Sequence, residues 1–431
     1  MHRLSALCLP AALLTIGCGR ATPVEEITAA AGAISDQQIS VGDDSWPRWR
    51  GSDQDGIATA ENPPQEWSES ENILWRTPVP GRGHSSPVVT EASIYLTTAD
   101  ERAEEQSVVC FDRQHGEQQW STTIHSGGFM GAHPKNSRAS ATPAWDGEHL
   151  YTAFINSGAL WVTAVDAQGE VVWQKEAGPF GAEHGYGSSP ALYKSLVIVC
   201  GDNADSSFVA ALDRSTGDLV WRTARERPGR HGSYGSPVVV EMAGLPQLLL
   251  MGLGKLTSYD PETGALIWHC YGPAEVAACT VACSDELVFA SGGYPEKEIL
   301  AVRADGSGDV GESHVAWRGS KGVTYVPSPI YHDGYLYIVN DRGIASCIDA
   351  ASGKAEWTKR LGGEFSASPV LAGENLFAVS EAGTTYVFRA SPQYELVAEN
   401  QLGDGSLASP AICGGQIFLR TDGELCCIGA L

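Results

Sequence analysis

Apolar residues in this chain fall in short runs of three to six, and turn-forming residues such as Gly, Asp and Ser separate the runs. The stretch from Ser189 to Trp221 shows the basic unit, with apolar runs at 190–192, 195–200, 208–212 and 219–221. Short runs rich in β-branched residues between turn residues predict a four-stranded antiparallel meander.

The same unit recurs along the chain, and each copy opens on a Ser or Thr followed by Pro. The opening residues are Pro87, Pro143, Pro190, Pro237, Pro329, Pro369 and Pro410, with Val281 after Thr280 at the fifth place. Successive units start about 46 residues apart, which is the period of a β-propeller blade.

A turn motif also repeats within the units. An Asp opens the turn before the last strand, a Gly follows three to four residues later, and a Trp follows in the strand. The Asp side chain can accept turn N–H groups and the Gly can take positive φ, while a Trp at one fixed place predicts packing between blades. The Asp residues are Asp112, Asp166, Asp213, Asp260 and Asp349, and the Trp residues are Trp120, Trp173, Trp221, Trp268, Trp317 and Trp357.

The two ends of the repeat array complement each other. The last unit lacks its outer strand, and the segment 72–77 around Trp75 supplies a strand with a Trp but no preceding strands. The sequence therefore predicts an all-β, eight-bladed propeller over 46–431, with an extension at 46–70 and the last blade closed by the strand near Trp75.

The first 45 residues predict export. Residues 1–18 combine a basic start with a short apolar stretch, and the sequence before Cys18 resembles a bacterial lipobox. We expect a lipid on Cys18, a flexible tether over 19–45 and attachment to the outer membrane on its periplasmic side; ordinary signal-peptidase cleavage is the alternative.

Charge and cysteine content narrow the partners. A formal charge of −24 opposes binding to nucleic acid or to anionic lipid through a basic patch, so the membrane is expected to be reached only through the anchor. Beyond Cys8 and Cys18, nine cysteines remain, and we expect buried thiols, with one disulfide left open. A monomer is expected, because a closed ring leaves no sheet edge to pair.

With these repeats, the segments 46–51 (WPRWRG) and 72–87 (NILWRTPVPGRGHSSP) make the chain resemble the PQQ-like β-propeller repeat family. That superfamily contains the eight-bladed quinoprotein dehydrogenases, which use pyrroloquinoline quinone (PQQ), and the BamB-like lipoproteins of outer-membrane protein assembly. The resemblance implies the fold strongly and the function weakly, because such folds carry both catalysts and scaffolds.

A quinoprotein enzyme of this superfamily would imply a vicinal disulfide, a Ca²⁺ held by Glu, Asn and Asp, and an Asp base. The adjacent pair Cys426 and Cys427 lies in a predicted strand, where consecutive side chains point to opposite faces. GxSxG, HExxH and P-loop motifs are absent from the sequence. We therefore expect no catalytic residue, no metal and no cofactor, with PQQ and Ca²⁺ as the alternative.

The loops that lead into each inner strand all emerge on one face of a propeller, around its axis. Several carry cationic and aromatic residues, which predict a cavity for a polar or anionic ligand or a peptide; ordinary polar turns are the alternative. The candidates are Arg82, His84, His133, Arg138, His184, Tyr186, Arg230, His231, Tyr234, Tyr325 and Glu364.

These observations favour a non-catalytic, membrane-tethered propeller that binds a protein, a peptide or a small anionic ligand in the periplasm. Scaffolding of outer-membrane protein assembly is one form of this hypothesis. The alternative is a PQQ-dependent oxidoreductase that uses the axial funnel.

Overall fold

The computed structural model describes residues 24–430 except 31, 59, 204 and 227–230. The predicted signal peptide, Cys18 and Arg230 lie outside the described residues. All regular secondary structure in the described part of the chain is β-strand, and the strands form eight sheets. The predicted all-β, eight-bladed propeller is confirmed, and no described helix has the length and apolar character needed to cross a membrane.

The strands are grouped here by blade, numbered along the chain. Two strands precede blade 1, β1 (Ile57–Ala58) and β2 (Ile73–Pro78). Blade 1 contains β3 (Val88–Val89), β4 (Ser93–Asp100), β5 (Glu105–Asp112) and β6 (Gln118–Ser126). Blade 2 contains β7 (Ala144–Trp145), β8 (His149–Asn156), β9 (Ala159–Asp166) and β10 (Val171–Pro179). Blade 3 contains β11 (Ala191–Tyr193), β12 (Leu196–Cys200), β13 (Phe208–Asp213) and β14 (Leu219–Ala224).

Blade 4 contains β15 (Val238–Met242), β16 (Leu245–Gly252), β17 (Lys255–Tyr259) and β18 (Leu266–Tyr271). Blade 5 contains β19 (Ala282–Cys283), β20 (Leu287–Gly292) and β21 (Glu298–Arg303), then β22 (Gly308–Asp309), which joins blade 4, and its own outer strand β23 (Val315–Gly319). Blade 6 contains β24 (Ile330–His332), β25 (Tyr335–Val339), β26 (Ile344–Asp349) and β27 (Ala355–Arg360). Blade 7 contains β28 (Val370–Ala372), β29 (Asn375–Val379), β30 (Thr384–Arg389) and β31 (Leu396–Gln401), and blade 8 contains β32 (Ala411–Cys413), β33 (Gln416–Arg420) and β34 (Glu424–Ile428).

Blade 8 is closed by the N-terminal strand, as the sequence predicts. Strand β2 pairs antiparallel with β34, and Trp75 lies opposite Cys427 and Arg76 opposite Cys426. Joining the two ends of the chain in one sheet gives blade 8 its fourth strand and closes the ring.

The repeated Trp fixes six of the eight blades to the next one. The indole N–H of Trp221 donates to the carbonyl of Pro261, one residue beyond the turn Asp260 of the following blade, at 3.1 Å. Equivalent bonds of 2.8–3.1 Å are made by Trp75, Trp120, Trp173, Trp317 and Trp357. Packing between blades by these residues is therefore confirmed.

Trp268 is the exception, because blade 5 replaces the short turn with the longer connection that contains β22. Its indole donates instead to Oε1 of Gln247 at 2.8 Å. The Nε2 group of Gln247 in turn donates to the carbonyl of Ala304 in blade 5, at 3.0 Å. The buried side chain of Gln247 therefore connects blades 4 and 5, where a direct bond from Trp to a turn carbonyl is missing.

The turns have the predicted hydrogen bonds. In the turn of blade 3, Oδ1 of Asp213 accepts the backbone N–H groups of Ser215 and Thr216, and Gly217 has φ of 73°. Asp112, Asp166, Asp260 and Asp349 accept turn N–H groups in the same way. A Cβ on Gly217 would lie 2.5 Å from the ring of Trp173, so the glycine is required for close approach as well as for backbone conformation.

Residues 24–45, predicted as a tether, lie against blades 1 to 3 where the structure describes them. Ile27 pairs with Arg222 on the outer strand of blade 3, and the backbone of Ser40 donates to the carbonyl of Asp146 in blade 2. Val24 is only 8% exposed. The folded body therefore begins well before residue 46.

The next part of the chain crosses the face opposite the candidate loops and enters the channel. Trp46 pairs with Val89 in blade 1, and the carbonyl of Pro47 accepts the N–H of Trp145 in blade 2. Strand β1 then pairs in parallel with β28 of blade 7. This segment therefore spans the ring from one side to the other.

All nine described cysteines are free, and only Cys283 is not fully buried, in agreement with the expected buried thiols. Cys426 and Cys427 occupy consecutive positions in the regular pairing of β34 with β33. Burial raises the pKa of the Cys427 thiol to about 12 and that of Cys426 to about 11.

Gly264→Ala tests the contact between the turn glycine and the Trp. An added Cβ would lie 2.5 Å from the ring of Trp221. We expect the free energy of unfolding to fall by about 2–4 kcal/mol, because overpacking adds to the left-handed backbone strain. Chemical denaturation provides the measurement.

Gly244→Ala is the matched control. Its φ of 75° is close to the 69° of Gly264, but no atom lies within 4 Å of an added Cβ. We expect a loss of only about 1 kcal/mol from backbone strain. Equal losses in the two variants would show that the contact with Trp221 contributes nothing.

Candidate functional site

A cavity of about 560 Å³ lies on the propeller axis, at the face formed by the loops that lead into the inner strands. All eight blades contribute to its wall, in the order His84, Lys135, His184, Tyr234, Ala278, Tyr325, Phe365 and Leu407. The loops therefore converge around one axial cavity, as the sequence predicts.

Six of the eleven candidate residues line this cavity. They are His84, His133, His184, Tyr234, Tyr325 and Glu364. The rings of His133 and His184 lie with their centroids 5.8 Å apart, and Nδ1 of His184 is 3.0 Å from the Tyr234 hydroxyl. These side chains form a polar and aromatic wall along one half of the opening.

Four other candidates do not line the cavity, because local partners hold them elsewhere. The guanidinium of Arg82 donates to the carbonyls of Pro134 and Asn136, and Arg138 pairs with Glu101 at 2.9 Å. The remaining two are Tyr186, a buried residue whose hydroxyl donates to the carbonyl of Cys200, and His231, whose Nδ1 lies 2.8 Å from Glu183 Oε1.

Other lining residues were missed from the sequence. Asp341 and Arg342 lie between β25 and β26, and Glu381 lies between β29 and β30. These turns connect the second and third strands of a blade, whereas the sequence argument considered only the loops between blades. Asp341 and Glu381 lie in the same turn of two successive repeats, and this shared position could have located them from the sequence.

The charges in the cavity are largely paired. The Lys135 ammonium lies 2.9 Å from Glu381 and 3.2 Å from Glu364, and hydrogen bonding to Glu381 is the main cause that raises its pKa. The carboxylate of Asp341 accepts the backbone N–H groups of Tyr325 and Val326. The sequence argument included Glu364 and missed Asp341 and Glu381, and the wall is mixed in charge.

Two lining residues titrate far from neutral pH. Burial, with smaller contributions from Arg82 and Arg420, lowers the pKa of His84 to about 4. Burial raises the pKa of Tyr325 to about 12. Both side chains are therefore uncharged at pH 7 and can act as hydrogen-bonding groups.

A ring of hydrogen bonds surrounds the axis below this wall. In it, the backbone N–H of the Ser or Thr that opens one blade donates to the side-chain hydroxyl of the equivalent residue in the next blade. The members are Ser86, Thr142, Ser189, Ser236, Thr280, Ser328, Ser368 and Ser409. Seven of the eight links are present, with distances of 2.8–3.0 Å.

The missing link, between Ser236 and Thr280, is where the N-terminal segment enters. The indole N–H of Trp49 donates to the Thr280 hydroxyl at 2.9 Å, and Trp49 lines the cavity. Nearby, the side chain of Gln54 donates to the carbonyl of Pro237. Trp49 therefore forms the floor of the cavity, at the unit where the sequence has Val281 in place of Pro.

The residues of the cavity do not fit the calcium-bound quinone site that the dehydrogenases of this superfamily imply. Glu364 and Glu381 are bound to Lys135, and Asp341 is bound to two backbone N–H groups. Among the described residues, no group of three or more His, Cys, Asp or Glu side chains could hold a metal ion. Cys426 and Cys427 lie within a strand outside the cavity wall. We therefore assign no step to PQQ or Ca²⁺.

The His84 pKa predicts a change of stability with pH. Because the folded state lowers this pKa to about 4 from the usual value of 6.5, the unfolded state binds the proton more readily. Folded-state stability should therefore decrease as the pH falls through this interval, by up to about 3 kcal/mol from this one residue. Urea unfolding at pH 7 and pH 4 should show a smaller loss in His84→Gln than in the wild type. The same loss in both proteins would contradict the prediction.

Comparisons with known proteins place the chain in a family. A family model described as outer membrane protein assembly factor BamB matches residues 45–177, 104–308 and 295–430. A curated protein of the same description from Yersinia pestis is 22% identical over 378 residues, which is 79% of this chain and 83% of that protein.

Two solved structures share the fold at low identity. BamB from Moraxella catarrhalis has a TM-score of 0.60 and 14% identity, with 83% of this chain and 99% of that chain covered. The quinohemoprotein alcohol dehydrogenase from Comamonas testosteroni has a TM-score of 0.61 and 12% identity, with 89% of this chain and 80% of that chain covered. The shared fold does not separate an assembly factor from an enzyme.

The family match, in contrast, extends over nearly the whole propeller. This chain therefore belongs to the PQQ-like repeat β-propeller family whose model is described as outer membrane protein assembly factor BamB.

Proposed function

We propose that this protein is a non-catalytic scaffold that binds a polypeptide segment during outer-membrane protein assembly. The observation that carries the proposal is the axial cavity, which is open on the loop face and has Trp49 as its floor. It is a concave site of the size that ligand pockets usually have.

The wall of the cavity favours recognition over reaction. Its carboxylates are bound to Lys135 or to backbone N–H groups, and His84 is uncharged at pH 7 because its pKa is about 4. His84 is therefore poorly suited to act as a general base, which needs a pKa near the working pH. The aromatic rings of Tyr234 and Tyr325 can instead contact apolar side chains of a bound segment.

The name of the Yersinia relative supports the cellular role. That protein is described as an outer membrane protein assembly factor and is matched over 83% of its length. A shared role would require export of this chain, in agreement with the lipobox-like sequence before Cys18. The proposal therefore includes a lipid on Cys18 and a location on the periplasmic side of the outer membrane.

Complementation of a deletion strain tests the proposed role. We expect loss of the gene to lower the amount of β-barrel proteins in the outer membrane. A copy that carries Tyr234→Ala should restore this amount only in part, because the variant removes a side chain that lines the cavity. Immunoblots of outer-membrane fractions provide the measurement.

Tyr271→Ala is the matched control, since Tyr271 is 51% exposed on the outer strand of blade 4. It should complement fully at equal protein level. Normal β-barrel levels in the deletion strain, together with saturable binding of PQQ and Ca²⁺ by the purified protein, would refute the scaffold and support the oxidoreductase alternative.

Cys18→Ser tests the anchor separately. Without the thiol no thioether-linked lipid can form, so we expect the protein to move from the membrane fraction to the soluble periplasmic fraction after osmotic shock. A Cys8→Ser variant should keep the wild-type distribution, because Cys8 lies within the predicted signal. An unchanged distribution of Cys18→Ser would exclude this anchor.

A further inference from the structure

The hydroxyl groups of the axial ring have donor capacity that the protein does not use. No member of the ring is more than 6% exposed. Seven of the hydroxyl oxygens accept a backbone N–H and the eighth, that of Thr280, accepts the indole N–H of Trp49. Within the described chain none of the eight hydroxyls donates to a protein acceptor, although five of them line the cavity: Ser86, Ser189, Ser236, Ser368 and Ser409.

Neighbouring buried serines behave differently. The hydroxyl of Ser188 donates to the carbonyl of Gly235 at 3.0 Å, and that of Ser406 donates to the carbonyl of Arg420 at 2.7 Å. Buried hydroxyl groups usually find an acceptor. The ring therefore presents a set of O–H donors toward the axis that a bound ligand or water can satisfy.

Two buried cations lie close to the ring, outside the cavity lining. The guanidinium of Arg50, 3% exposed, donates to the carbonyl of Pro329 next to ring member Ser328, and its Nη1 has no partner. On the other side, Arg420 is 2% exposed, donates to the Ser85 hydroxyl beside Ser86, and has no partner for Nε. Neither guanidinium lines the cavity itself. Two incompletely paired cations close to the ring nevertheless favour a negatively charged ligand there and oppose a metal cation.

The residues around the ring determine which kind of anion can bind there. The rim has three carboxylates, Asp341, Glu364 and Glu381, against the two cations Lys135 and Arg342. The remaining negative charge repels a multiply charged anion such as phosphate more strongly than a singly charged one. The aromatic side chains of Trp49 and Tyr325 favour an organic group attached to the charge. A singly charged carboxylate on an organic body fits both conditions.

We propose that the axial ring is a carboxylate-binding site, in which ring hydroxyls donate to the carboxylate oxygens and Arg50 and Arg420 supply the compensating charge. The inference deepens the proposed function and rests on ligand entry into this cavity. The carboxylate can belong to a small organic acid or to the C-terminus of a polypeptide, since the ring contacts the same group in both.

Calorimetry on the purified protein tests the proposal with benzoate and its neutral isostere benzamide, in a carboxylate-free buffer of low ionic strength. We expect benzoate to bind at least about 10-fold more tightly, because hydrogen bonds to a charged group are the stronger ones. A short neutral peptide with a free or an amidated C-terminus forms the second pair. Tighter binding of the free-acid peptide than of benzoate identifies a polypeptide C-terminus as the source.

Variants locate the binding. The double variant Ser189→Ala/Ser368→Ala removes two ring hydroxyls from opposite blades, and we expect benzoate affinity to fall by about 10-fold. Ser188→Ala/Ser406→Ala is the matched control, since it removes two buried hydroxyls that donate to backbone carbonyls, and it should bind as the wild type does. Thermal unfolding checks that both variants are folded.

The wild-type comparison decides the proposal even if the ring variant does not fold. Equal affinity in both pairs, for benzoate and benzamide and for the free and amidated peptides, would overturn the carboxylate site while leaving a peptide-binding cavity in place. Loss of affinity in both double variants alike would also overturn it. Absence of any binding would overturn the ring as a site, and the proposed scaffold would then be judged by complementation alone.

Discussion

Eight inner strands can surround one axis only if each blade fixes the position of the next. The Ser or Thr at the start of each inner strand does this, since its hydroxyl accepts the backbone N–H of the preceding blade across seven of eight junctions. The bond uses one lone pair of each hydroxyl and leaves the proton available. The contact that closes the ring therefore also lines the cavity around the axis with polar groups.

A second set of contacts repeats this coupling farther from the axis. In six blades a Trp donates to a turn carbonyl of the next blade, and in most of these turns a glycine lies directly against the Trp ring. Because the Trp, the Asp turn and the Ser–Pro step all act between blades, the repeat pattern in the sequence is a pattern of interfaces. Where blade 5 departs from the pattern, Gln247 and Trp49 make the missing contacts.

The N-terminal segment distinguishes this propeller from a bare ring of blades. Its residues cross the face opposite the loops, pair with blades on both sides and place Trp49, Arg50 and Gln54 within the channel. The result is a cavity with one open face. Enzymes and assembly factors share the surrounding fold, so the residues on this axis, more than the architecture, determine what the protein can bind.

The sequence by itself determined the blade count, the meander within each blade, the closing strand at Trp75 and the roles of the repeated Asp and Trp. All of these depend on local turn chemistry and on periodic burial, which recur at fixed spacing and can therefore be recognised along the chain. It also located the loops that meet at the axis, including His84, His184 and Tyr325.

Only the tertiary structure decided which of those side chains face the cavity. Arg82 and Arg138 turn away to neighbouring carbonyl and carboxylate groups, while Asp341, Glu381 and Trp49 enter from segments that the repeat does not mark as part of the site. A side chain's direction depends on partners that are distant in sequence, such as Lys135 for Glu381 across 246 residues. Periodicity along a single chain contains no information about such pairs, because they form only when the ring closes.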